Sequence, residues 1–435
     1  MKTFRHYLYP LHIAAITAAS LLFNILGLHA IGLGIFFVTL VVLVALRLRV
    51  ITLLPLLLFA PFIMSGQRDF GGYLQAYYLA AAPVLLFDMF RHRRLKRFGS
   101  LGVALILLVD VAALSLFGAP SLISGLEGLL ILSLAFLVYL YLVNTFTPDE
   151  RLTANVSWLF TGLSAVVLVQ MFMGLYQSEL GLFESMRQRD VNFAWIRHTE
   201  LLYINLLSIP LIGYLMTRYR FKLPFMLGMF LAYVPFMLLL DVIAMMSGAV
   251  LLILCAVYVI HQSHNRLQTL IEGVVFAGLT ALVLYLVNMR YDSVIWRVYD
   301  HVISRDFTTL SELTATFSVA WQAFLSSPIV GTGGIRSSIV YLAEEGLRMR
   351  FYQNVFLQAL TLGTVGFLAF VYLQYRKVKL LMKTERRMRY FVLSLLFVAI
   401  FIQGAFDAMY FHYIFLVAFF LVLAALEVNV KAAVK

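Results

Sequence analysis

The chain has 435 residues, of which 63% are hydrophobic and 12% charged, with a net charge of +12. A soluble domain carries about 25% charged residues, and no globular interior of this size can hide so much apolar surface. Composition thus excludes a soluble enzyme, a disordered chain and a disulfide scaffold, and leaves a polytopic membrane protein.

A spanning helix needs about 20 residues, and the apolar runs approach that length. Barrel strands are about ten residues with alternating polarity, so the expected fold is an all-α, polytopic transmembrane helical bundle. Met1 to Tyr9 is basic and leads into an apolar run without a small-residue cleavage site, which predicts a retained first helix over 8–28. Further spans follow at 30–46, 50–65, 72–90, 99–117, 126–146 and 156–176. A polar outer segment, 177–199, separates these from spans at 200–217, 223–240, 246–262 and 268–288. A long outer loop over 289–353 precedes spans at 354–375, 390–405 and 411–427. The total is about 14, with 12 or 13 as alternatives, in a single integral membrane domain covering 1–435.

Charge orients this frame. With both termini cytoplasmic, the inner segments hold 23 of the 33 Lys and Arg residues, including the cluster from Arg91 to Arg97 and seven between Arg376 and Arg389. That is the asymmetry expected of a multi-pass protein of a bacterial inner membrane. The positive charge is therefore a topology signal, with membrane lipids as partners and no nucleic acid. The lone Cys255 lies in an apolar run and reads as packing. The histidines are scattered without metal-ligand spacing, and neither a metal nor a cofactor is expected.

The ten outer basic residues are all Arg. Arg187, Arg189 and Arg197 lie in the first long outer segment, and Arg290, Arg297, Arg305, Arg336, Arg348 and Arg350 in or beside the second. Arginine binds phosphate oxygens in a bidentate fork and stays charged. Outward positive charge thus suggests a site for an anionic ligand, although Asp190, Asp292, Asp300, Asp306, Glu344 and Glu345 are competing partners. An amphipathic stretch at about 311–325, with Trp321 and Phe324, precedes Pro328-Ile-Val-Gly331-Thr-Gly333-Gly334, a turn that lacks the Gly-Lys-Ser/Thr of a P-loop. Tyr352, Gln353 and Asn354 form a polar mouth where that loop enters the next span, with Gln358 one turn deeper. The acids in or near spans are Asp110, Glu127, Asp241 and Glu272, which keep a transporter open as a reading.

In their order along the chain these features resemble the O-antigen ligase and polymerase superfamily, over about 187–374. The residues that carry the resemblance are Arg197 followed by Asn205, then Ser247-Gly248, then Trp321 with Pro328-x-x-Gly331-x-Gly333, then Gln353-Asn354-x-x-Leu357-Gln358 leading to Gly363-x-x-Gly366. Gln353 stands where the ligases carry a histidine, and the arginine of their Ser-Arg-Gly is missing at Ser247-Gly248. Both departures point to a polymerase rather than a ligase. The resemblance implies an inverting glycosyltransferase that uses an undecaprenyl-diphosphate-linked glycan at the periplasmic face. It leaves open whether a chain-length regulator protein takes part. Arg197 would stabilise the leaving diphosphate, and Arg187, Arg189, Arg305, Arg336, Arg348, Arg350, Tyr352, Gln353 and Asn354 would bind substrate. Asp241, Glu344, Glu345 and His198 are the candidates for the base that an acceptor hydroxyl needs. The alternatives are a ligase that transfers glycan to the lipid A core, and a lipid-linked oligosaccharide flippase.

Overall fold

In a computed structural model the structure describes residues 4–64, 72–91, 98–119, 122–146, 151–177, 198–238, 242–263, 265–290, 296, 318, 321, 322, 324–332, 362–383, 391, 394, 395 and 413–433. Those residues are helical throughout, apart from the turns that join helices. Leu152–Gly174, Met245–Gln262 and Arg266–Arg290 are long and apolar enough to cross a membrane, and shorter apolar helices accompany them. The chain divides into two compact units, Met1–Arg93 with Pro148–Ser304 and Arg94–Thr147 with Arg305–Lys435. The second unit is assembled from two distant stretches of chain.

The first unit contains α1 (Phe4–Ile25), α2 (His29–Ala45), a broken segment, α4 (Gly72–Arg91), α7 (Leu152–Gln177), α8 (His198–Arg218), α9 (Leu223–Leu238), α10 (Val242–Gln262) and α11 (Arg266–Arg290). The broken segment is a 3-10 turn at Val50–Thr52, a short α3 at Leu54–Phe59 and a second 3-10 turn at Ala60–Ile63. This corrects the continuous span expected over 50–65. Pro55 and Pro61 each withhold an N–H from the helical ladder and force a restart. Such backbone at membrane depth is tolerated where protein supplies the missing partners. Here Tyr77 and Tyr78 of α4 donate to the Leu56 and Leu57 carbonyls at 2.9 and 3.0 Å, and Gln170 of α7 donates to that of Phe62 at 2.6 Å.

Two sets of bonds define the ends of this unit. At one, Asn24 Nδ2 donates to the Met64 carbonyl at 2.8 Å and His29 Nδ1 to that of Ile63 at 2.7 Å. At the other, Tyr9 donates to the Ile51 carbonyl at 3.1 Å, and Trp158 packs edge-on against Tyr219 and Phe225. The second end collects Arg5, Arg47, Arg49, Arg91, Arg151, Arg218, Arg220, Lys222 and Arg266, whereas Arg290 alone lies at the first, among the described residues. Arg47 itself has φ +56°, in the left-handed region that glycine usually fills after a helix.

The second unit contains α5 (Gly102–Ser115, ending in a 3-10 turn at Leu116–Gly118), α6 (Leu122–Thr145), α12 (Gly363–Met382) and α13 (Tyr413–Ala433). α5 packs on α6 and α12, and α13 on α6 and α12. α12 runs past the expected boundary at 375 and keeps Arg376, Lys377 and Lys379 helical, where the sequence frame has a cytoplasmic loop. The charges are accommodated locally. Arg376 Nε donates to the Ser100 carbonyl at 2.8 Å. Lys377, 1% exposed, holds its Nζ 5.3 Å from the Phe419 ring and 5.6 Å from that of Phe420, a cation–π arrangement.

Candidate functional site

The residues singled out for chemistry, Arg187, Arg189, Arg197, Asp241, Arg305, Arg336, Glu344, Glu345, Arg348, Arg350, Tyr352, Gln353 and Asn354, all lie outside the described residues. What the structure provides is the frame beside them. α8 starts at His198, next in sequence to Arg197, and α10 starts at Val242, next to Asp241.

The Pro328–Gly331 turn is the most closely built part of that frame. Its Pro328 carbonyl accepts from both the backbone N–H and the hydroxyl of Thr364, at 2.8 and 2.7 Å. Three backbones meet there without side chains between them. Gly363 has φ +74°, and a Cβ on it would come 2.5 Å from the Ile329 carbonyl oxygen and 2.7 Å from the Gly331 nitrogen. A Cβ on Gly118, at the end of α5, would lie 2.5 Å from the Gly331 carbonyl oxygen. Trp321 and Phe324 stack at 5.3 Å just ahead of the turn, and the residues described in this stretch are helical to Ser326. Two motifs of the resemblance, more than thirty residues apart in sequence, are therefore in direct contact.

The other two are not brought together. A Cβ on Gly213 would lie 3.4 Å from the Cβ of Cys255, so α8 and α10, which run in the same direction, touch there. Asn205 and Ser247 each precede that contact by eight residues and so sit at one level. Eight residues also turn a helix about 80° past two full turns, and in the same sense on both helices. The two side chains thus fall on opposite flanks of the pair. Asn205 is fully buried and neither amide atom has a partner in the protein. Ser208, one turn on, donates to the carbonyls of Ile204 and Phe160 at 2.9 and 3.1 Å.

Of the acids seen in the sequence, Glu272 is half-buried and accepts from Gln268 Nε2 at 2.7 Å, while Asp110 is exposed. Among the described residues the most enclosed acid is instead Glu427, 0% exposed. It accepts from the Ser100 N–H at 2.7 Å and from the Tyr139 hydroxyl. Tyr139 in turn accepts from the Leu101 N–H at 3.1 Å. Gly99, at φ +67°, makes room for it, since a Cβ there would stand 2.5 Å from the Tyr139 oxygen. In the first unit Lys222 is also buried, donating to the Ser263 and Thr269 hydroxyls. Burial pushes its ammonium below the ordinary lysine value, with nearby Glu272 opposing. Glu427 is absent from the acids picked out in the sequence, although its place inside the apolar run ending at Asn429 was a signal for it, and nothing in the local sequence named its partners.

Among the described residues no group of three or more His, Cys, Asp or Glu could hold a metal ion. No protein-family model matches the chain, and no curated protein matches it. The chain is thus all-helical among its described residues, with three helices long and apolar enough to cross a membrane.

Proposed function

We propose that the chain is an inner-membrane glycosyltransferase that polymerises undecaprenyl-diphosphate-linked oligosaccharide units at the periplasmic face, with both termini in the cytoplasm. The observation that carries this reading is the contact between the Pro328–Gly331 turn and Gly363-Thr364, which joins two separate motifs of the resemblance at one place. The gathering of basic residues at one end of the first unit supports the orientation.

The chemistry needs no metal. A diphosphate leaving group gains negative charge as the glycosidic bond breaks, and fixed guanidinium groups stabilise that charge. Arg197 is the residue to which this role falls, with Arg187, Arg189, Arg305, Arg336, Arg348 and Arg350 as further phosphate and glycan ligands. Asp241, Glu344 or Glu345 would take the proton of the acceptor hydroxyl.

A strain deleted for the chain decides between the readings. Glycans of a single repeat indicate a lost polymerase. Uncapped core beside intact polymer indicates a lost ligase, and accumulation of lipid-linked units on the inner leaflet a lost flippase. In complementation, Arg197→Ala should lower polymer output tenfold or more at unchanged membrane levels. Arg197→Lys should restore it in part, because lysine keeps the charge and loses the fork.

A further inference from the structure

The basic end of the first unit carries a turn whose shape and charge suit a lipid headgroup. Arg218, Tyr219, Arg220, Phe221 and Lys222 join α8 to α9. The turn is held from behind on two sides. Lys222 points inward to the hydroxyls of Ser263 and Thr269, each of which is itself tied to a backbone carbonyl. Tyr219 stacks on Phe225 at 5.0 Å, and Trp158 meets both rings edge-on at 6.1 and 5.9 Å. What remains outward is two arginines around an apolar ring. Arg218 and Arg220 are exposed, and Phe221 is 75% exposed. The Arg218 guanidinium lies 5.3 Å over the Tyr214 ring and donates to the Tyr214 hydroxyl at 2.8 Å, so it is already oriented.

An exposed phenylalanine on a rigid turn is costly in water and costless at the boundary of acyl chains and headgroups. Exposed Leu223 and Leu227 continue its apolar surface along α9. Two arginines beside that boundary meet phosphate, and the other basic residues at this end add a field of the same sign.

We propose that the Arg218–Lys222 turn is a binding seat for an anionic phospholipid, with Arg218 and Arg220 on the phosphate and Phe221 against the start of the acyl chains. Each basic residue at an anionic surface contributes about fivefold in affinity. Loss of both arginines should therefore weaken binding about 30-fold.

The test uses the full chain, purified in neutral detergent. Phosphatidylglycerol titrated into the parent should raise its unfolding temperature, and phosphatidylcholine should not. Arg218→Gln with Arg220→Gln should keep the parent's unfolding temperature in phosphatidylcholine and lose most of the phosphatidylglycerol shift. If the double variant does not fold, Arg220→Gln alone should lose part of the shift, as should Phe221→Ser. An equal shift in parent and variants overturns the proposal, as does a parent that does not distinguish the two lipids. A matching response to inorganic phosphate alone overturns the lipid assignment.

Discussion

A buried polar atom in a helix bundle is either paired or expensive, and the described residues hold both kinds at full burial. Glu427 has its carboxylate on the Ser100 N–H and the Tyr139 hydroxyl. Tyr139→Phe removes one hydrogen-bond donor from a fully buried acid, at a cost of about 1–3 kcal/mol. We expect a lower unfolding temperature in detergent, which thermal denaturation followed by tryptophan fluorescence would detect. Asn205 is the opposite case, since its amide is buried and unpaired. Asn205→Leu replaces it with an apolar group of similar size and should raise stability by about 1 kcal/mol. A drop in unfolding temperature would reveal a partner for the amide. Glu427, an acid at the end of an apolar run, is passed over on sequence alone, and its tyrosine is 288 positions away, a distance that no local pattern encodes.

Helices were legible because nothing else can be made of apolar runs this long; their interruptions were less so. Hydropathy treats 50–65 as one segment, because proline barely changes an average while removing a hydrogen bond. The same averaging ends a helix at the first cluster of charges, whereas α12 continues through Arg376 and Lys377 by giving one a carbonyl and the other two aromatic faces. The glycine turn at 331–334 was legible as a turn from its composition. That Ile329 and Gly331 abut the start of α12 and the end of α5 was not, since that depends on Gly363 and Gly118 having no side chains. Gly363→Ala tests that junction. It imposes a left-handed conformation costing about 1–2 kcal/mol and a clash with the Ile329 carbonyl. Purified variant should unfold at a lower temperature, whereas Gly273→Ala, mid-helix where a Cβ meets nothing within 4 Å, should not lower it.

For the whole molecule the first quantity to measure is orientation. On the proposed topology, with 23 basic residues inside against 10 outside, 310 would lie outside and 380 inside. Single cysteines near those positions, in a chain with Cys255 replaced, should react with membrane-impermeant thiol reagents from opposite sides. Reaction from one side would refute the topology. The outer arginine loops were chosen from residue type and sidedness alone, so this experiment bears on the proposed site as much as on the fold.

The interleaving of the two units also has a consequence in time. Ribosomes deliver Arg94–Thr147 early, yet the stretches that complete its unit follow only after Pro148–Ser304 has been made. Until Glu427 emerges, the Ser100 N–H and the Tyr139 hydroxyl lack the carboxylate that joins them. The hairpin of α5 and α6 must therefore wait, half-assembled, for most of translation. A message with a stop codon before position 427 should yield a product whose first unit is complete and whose second is open. Pulse-chase labelling should find that product degraded faster than the full chain, with cleavage beginning in 94–147.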